Sequence, residues 1–72
     1  MDDLKIRFGM RLRMLRMQQQ MTQEQLADAA KISVDFLSLI ERGRNAPSFT
    51  NIEKLAKALN VPVQQLFNFE EH

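Results

Sequence analysis

Few side chains in this sequence could act on another molecule, and those few suit hydrogen bonding and anion binding better than bond-breaking chemistry. The only histidine is the terminal His72 and there is no cysteine. No glycine-rich phosphate loop is present, nor a carboxylate pair with an apolar pocket between its members, so no catalytic residues, no metal ligands and no cofactor are expected. What the chain does hold is the stretch SVDFLSLIERG over residues 33–43. There Ser33, Asp35 and Ser38 offer donors and acceptors beside the aliphatic Val34 and Leu39. Arg42, Arg44 and Asn45 come at and just after its end. Cations also crowd the start of the chain: Lys5, Arg7, Arg11, Arg13 and Arg16 fall within residues 5–16 with no acid among them, whereas the chain closes on FEEH. The net charge of +1 therefore conceals a basic beginning and an acidic end, and the basic part favours an anionic partner.

These groups need a scaffold, and 72 residues supply one domain, over residues 1–72. A chain this short buries only about 60% of its unfolded surface, so its core is marginal and dimerisation would help it. The lack of cysteine points to a reducing, cytoplasmic setting. No apolar run approaches the roughly 18 residues of a membrane span, and MDDLKIRFG has no secretory apolar region, so no membrane association is expected.

Periodicity predicts helices alone. Leu4, Phe8, Leu12 and Leu15 recur at helical spacing and predict a first helix over residues 4–18 with these four in the core. Thr22 and Gln25 have capping-box spacing and open a second helix that runs to residue 30. Ser33 is an N-cap for a third helix ending at residue 42, closed by Gly43 in a left-handed conformation. A fourth helix carries Ile52, Leu55, Ala56 and Leu59; it starts from Ser48 with Asn51 or from Thr50 with Glu53, Ser48 being preferred, and Asn60 stops it. Pro62 begins a short fifth helix ending on Leu66 and Phe67. The expected fold class is all-α.

The pair over residues 22–43 has the detail of a helix-turn-helix. Counted from Gln23, the fifth position is Ala27, where the second helix must pass close to the first. Leu26, Ala30, Ile32, Leu37 and Ile40 occupy positions that lock two helices at a steep angle. On these residues, and on MTQEQLA, FLSLIERG, APSF and IEKLAKALNVPVQQLF, the chain resembles the phage-repressor (Cro-like, XRE) helix-turn-helix family across almost its whole length. The resemblance implies a compact five-helix, lambda-repressor-like DNA-binding domain with the motif in helices 2 and 3. The chain departs from the family at Gln20 and Lys31, where glycine is usual. If both sites need positive φ, each substitution costs about 1 kcal/mol.

At about 100° per residue, Phe36, Leu37 and Ile40 face the core while Val34, Asp35, Ser38, Leu39 and Arg42 share the opposite arc. The resemblance makes that arc the face that enters a DNA groove and implies base reading by Ser33, Val34, Asp35, Ser38 and Leu39. A carboxylate only accepts, so Asp35 suits cytosine N4, whereas Val34 and Leu39 suit thymine methyls. Sparse direct readout leaves part of the specificity to DNA shape. The plainer alternative for Asp35 is a charge that favours the helix N-terminus. Phosphate contacts are implied at Thr22 and Gln23, where the second helix points free N–H groups outward, and at Arg42, Arg44 and Asn45. Arg11 and Arg13 are weaker candidates, since helix arginines more often form a solvated face. Arg16 and Glu41 match a family pair that ties the third helix to the first and are expected to form a partly buried structural ion pair.

The expected activity is sequence-specific binding of double-stranded DNA by a homodimer on a near-palindromic operator. It would be that of a small phage-type repressor or a restriction-modification controller, responding to its own concentration because no sensor domain follows Phe67. The dimer contact is expected among Val63, Leu66 and Phe69, with Phe67 turned into the core. A second apolar stripe on the first helix, Ile6, Met10, Met14 and Met17, would suit a protein partner or would be covered by the tail FNFEEH. The competing class is an antitoxin or another protein-binding module on the same fold.

Overall fold

The computed structural model describes residues 3–70; His72 lies outside the described residues. The elements are α1 (Leu4–Gln18), α2 (Gln23–Ala30), α3 (Val34–Glu41), α4 (Phe49–Leu59) and a 3₁₀ turn (Val63–Phe67), with no strand among the described residues. Each helix begins where a short polar side chain can satisfy a free N–H. Asp3 accepts from Lys5 N, Ser33 from Phe36 N and Ser48 from Asn51 N. Thr22 and Gln25 make both bonds of the capping box, at 3.0 and 2.8 Å, so α2 starts with two of its N–H groups paired. Ser48, not Thr50, caps α4.

The helices end at residues that leave the right-handed region. Lys31 and Asn60, the C-caps of α2 and α4, have φ of 62° and 57°, and Gln20, in the link after α1, has 58°. Gly43 closes α3 at φ 74°. The two sites where the family usually carries glycine are thus left-handed in this chain, with lysine and glutamine holding them.

The core is built from Phe8, Leu12 and Leu15 of α1, Leu26, Ala27 and Ala30 of α2, Leu37 and Ile40 of α3, Ile52, Leu55, Ala56 and Leu59 of α4, and Leu66. α1 packs across α3, α2 packs on α3 and α4, and the 3₁₀ turn closes against α1 and α4. Gly9 allows the first crossing. A Cβ built there would lie 2.3 Å from the Ile40 carbonyl oxygen and 2.7 Å from that of Glu41, both rigid backbone atoms. The amide of Gln19 spans to the other end of the bundle and donates to the Leu59 carbonyl at 2.6 Å, satisfying one of the last acceptors of α4.

Several expectations are corrected. The fifth element is a 3₁₀ turn and not an α-helix. Where it closes against α1 and α4, Leu66 is taken into the core and fully buried, whereas Phe67 lies over Phe8 and is 38% exposed, the reverse of what was expected. Leu66 is therefore core and takes no part in a dimer surface. Leu4, expected in the core, is 52% exposed, and Phe36 is half-buried against its edge. Helix α3 starts after Ser33, its expected N-cap, but ends one residue earlier than expected, at Glu41, with Arg42 as its C-cap.

Candidate nucleic-acid interface

The start of α2 and the exposed face of α3 meet in an open depression. Among its lining residues are Thr22, Gln23 and Glu24 of the α2 start, Val34, Asp35, Ser38 and Arg42 of α3, and Arg13 from α1. Of the residues implied for base reading, Val34, Asp35 and Ser38 are thus brought together. Ser33 sits just outside, with its Oγ accepting from Phe36 N at 3.0 Å, and Leu39 is half-buried outside the lining. Of those implied for phosphates, Thr22, Gln23 and Arg42 line the depression and Arg44 and Asn45 do not. Their loop is tied to α3 instead: the Leu39 carbonyl accepts from Arg44 N at 2.9 Å and from Asn45 N at 3.4 Å, so their exposed side chains leave from a fixed backbone.

Thr22 Oγ1 accepts the Gln25 N–H, which leaves its hydroxyl proton able to point outward. The Gln23 and Glu24 N–H groups of the first turn have no acceptor among the described residues. They are donors at the positive end of a helix, an arrangement that favours an anion. The Gln23 side chain faces inward in part, its Nε2 donating to Glu41 Oε1 at 3.0 Å.

That bond joins Gln23 to a largely buried, bidentate ion pair. Arg16 Nε donates to Glu41 Oε2 at 2.7 Å and Nη2 donates to Oε1 at 3.1 Å, while Nη1 donates to the Met21 carbonyl at 2.8 Å. The two side chains are 11% and 2% exposed. One guanidinium therefore holds α3 by its last residue, fixes the chain just before α2, and leaves Glu41 placed to orient Gln23. A bidentate pair of this geometry is rigid as well as attractive.

Two arginines change role. Arg11 is buried and belongs to the architecture, donating through Nε to the Gln65 carbonyl at 2.8 Å and through Nη2 to Gln65 Oε1 at 2.9 Å. Arg13 is exposed and lines the depression. The signal for it was its position one turn before Arg16, whose contacts point the same face of α1 at α2 and α3. The depression is not strongly basic: with Arg16 and Glu41 paired, Arg13 and Arg42 stand against Glu24 and Asp35. Arg13, Arg42 and the free N–H groups of the α2 start are thus its anion-attracting groups, offset in part by the Glu24 and Asp35 carboxylates.

Elsewhere, Leu4, Phe8, Pro47, Phe49, Ile52 and Phe67 line an apolar cleft of about 190 Å³. Phe49, which drew no attention in the sequence, is 86% exposed at the start of α4. Phe67 stacks obliquely on Phe8 at 5.1 Å, Phe69 meets Phe67 edge-on at 6.3 Å, and the Arg7 guanidinium lies 5.1 Å from the Phe69 ring centre. No helix among the described residues is long and apolar enough to cross a membrane, and no cluster of metal-ligating side chains occurs there.

Residues 12–66 match the helix-turn-helix family. The chain is 35% identical over 69 residues to control protein C.MunI of a Mycoplasma species, covering 94% of this chain and 93% of that one. It is 36% identical to control protein C.BamHI of Bacillus amyloliquefaciens, with coverage of 94% and 85%. Among solved structures, the restriction-modification controller protein C.AhdI of Aeromonas hydrophila superposes with a TM-score of 0.86 at 38% identity, over 88% of this chain and 96% of that one.

Proposed function

The chain belongs to the helix-turn-helix family of DNA-binding transcriptional regulators, and on that premise we propose that it binds double-stranded DNA sequence-specifically, as a cytoplasmic homodimer on a near-palindromic operator. The observation that carries this reading is the depression whose lining brings the α2 start, with its unpaired N–H groups, together with Val34, Asp35 and Ser38 and the cations Arg13 and Arg42. In this reading α3 enters the major groove, Val34, Asp35 and Ser38 meet base edges, and Ser33 and Leu39 lie at the margins of that contact. Thr22, Gln23, Arg42, Arg44 and Asn45, with Arg13 added, hold the phosphates on either side. The Arg16–Glu41 pair supports this face from beneath. The relatives named as restriction-modification controllers support regulation of a restriction-modification operon as the setting.

The homodimer contact is placed on the apolar cleft and its rim, with Phe49 at the centre and Val63 and Phe69 beside it. These elements share no residue with the DNA-facing depression. Met10, Met14 and Met17 of α1 line neither surface and stay available to a protein partner.

Selection of bound sites from random duplexes at fixed salt tests the reading, with the Asp35→Asn chain run alongside. The expected result is a palindromic motif whose half-sites change at one symmetric pair of positions in the variant, from cytosine to adenine. An amide can donate to adenine N7 as well as accept, which a carboxylate cannot. Recovery of no motif from the unaltered chain sinks the proposal; an unchanged motif in Asp35→Asn confines Asp35 to the helix terminus.

A further inference from the structure

Helix α1 carries a second apolar face that the rest of the molecule leaves open. Ile6, Met10 and Met17 are 42%, 64% and 56% exposed, and Met14 is half-buried between them. The tail through Glu70 does not line the groove between these methionines; its Phe69 is held against Phe67 and Arg7. Met10, Met14 and Met17 follow the 4–3 spacing of a coiled-coil seam, and with Ile6 they extend over about 17 Å of helix. At 100° per residue, Arg13 falls on one side of this stripe and Arg7 on the other. Arg13 lines the shallow groove that Met10, Met14 and Met17 form. No acidic residue occurs within residues 4–18.

We propose that this face docks an amphipathic helix of another protein, apolar along its seam and acidic on both flanks. The charges choose between occupants. A second copy laid α1 on α1 would bring the same cations to both sides of the seam, and like charges across it are unfavourable. Glutamates at the flanking positions of a partner helix would instead meet Arg7 and Arg13, while the flexible methionines adapt to whatever aliphatic side chains fill the seam. The docking site and the proposed DNA-binding face share Arg13. To the extent that the DNA reading holds, occupancy therefore withdraws one phosphate contact and places negative charge beside the duplex.

The test uses the full chain and two designed probes: fluorescein-labelled three-heptad peptides with leucine along the seam and, at the flanking positions, glutamate in one and lysine in the other. By fluorescence anisotropy the glutamate peptide should bind at least about tenfold more tightly than the lysine peptide, a difference of about 1.4 kcal/mol. Arg13→Glu should remove most of that preference, because only the Arg7 flank stays cationic, and Met10→Asp should abolish binding with the helical circular dichroism unchanged. Met17→Asp stands in should Met10→Asp unfold the chain. Equal affinity for both peptides overturns the proposal, as does binding that survives both methionine variants. So does sedimentation showing that Met10→Asp turns a dimer into a monomer, which would assign the face to a second copy. These measurements contain no DNA, so their failure is distinct from failure of the DNA reading. On a selected duplex, saturating glutamate peptide should weaken binding about two- to tenfold, and an unaltered duplex affinity overturns the coupling through Arg13.

Discussion

Gln20, Lys31 and Asn60 hold a left-handed backbone at φ of 57–62°, which places Cβ against the following carbonyl and costs roughly 1–2 kcal/mol in a residue with no local compensation. Asparagine bears this best because its short amide can bond to the nearby backbone; glutamine and lysine have no such relief. Both Gln20 and Lys31 are exposed, so neither substitution by glycine would remove buried surface. Gln20→Gly and Lys31→Gly should each stabilise the chain by about 0.5–1 kcal/mol and raise Tm by about 4 °C, as read by thermal denaturation. A fall in Tm would show that the long side chains contribute more by covering the surface than their backbone costs. At the same scale, Arg13→Ala and Arg42→Ala should each flatten the log–log dependence of duplex binding on salt by about one unit, with sequence preference unchanged. Arg11→Ala should instead lower stability, since its guanidinium is spent on Gln65. An unaltered slope in Arg13→Ala would return that residue to the solvated face of α1.

The relation of α1 to α3 governs the element scale, because α3 can present its outer face only if its inner face is held. Two devices do this. Gly9 lets the helices approach until the Ile40 and Glu41 carbonyls lie where a side chain would be, and the Arg16–Glu41 pair then locks the end of α3. Gly9→Ala must push a backbone away, and a destabilisation of about 3 kcal/mol or more is expected in urea denaturation, despite the better helix propensity of alanine. A neutral or stabilising Gly9→Ala would mean that the crossing is loose. Gly43 makes a related contact in a different way: a Cβ there would meet Ile6 at 2.8 Å, and its φ is positive besides. The turn after α3 is thereby pressed against the start of α1.

At the scale of the whole molecule, the proposed DNA-facing surface offers only a few groups able to read bases, so on that reading two copies would be needed for useful discrimination. On one face of B-DNA their α3 helices would lie about 34 Å apart. Phe49→Asp alters a side chain that is already 86% exposed, so the fold should survive. Sedimentation should then show a monomer that keeps weak, salt-sensitive duplex binding and loses its preference for the palindrome. A Phe49→Asp chain that stays dimeric moves the contact away from this cleft. Leu66→Asp is the contrasting case: a charge placed in the core should unfold the chain.

Legibility in the sequence followed the range of the interaction. Helices α1 to α4, the caps at Thr22, Ser33 and Ser48 and the left-handed closure at Gly43 were readable because a cap, a period of 3.6 and a glycine-closed turn are local, whereas Gln20 and Lys31 stood out only through the resemblance to a family that usually has glycine there. The arc of Val34, Asp35, Ser38 and Arg42 was readable for the same reason, since angle along one helix follows from residue spacing alone. What only the tertiary structure decided depended on two elements at once. Leu66 and not Phe67 was taken into the core where the last element packs on α1 and α4, Arg11 was drawn inward by Gln65, Arg13 was set beside the α2 start, and Phe49 was left uncovered. None of these follows from spacing within a segment, because each is fixed by which neighbour happens to stand across the gap.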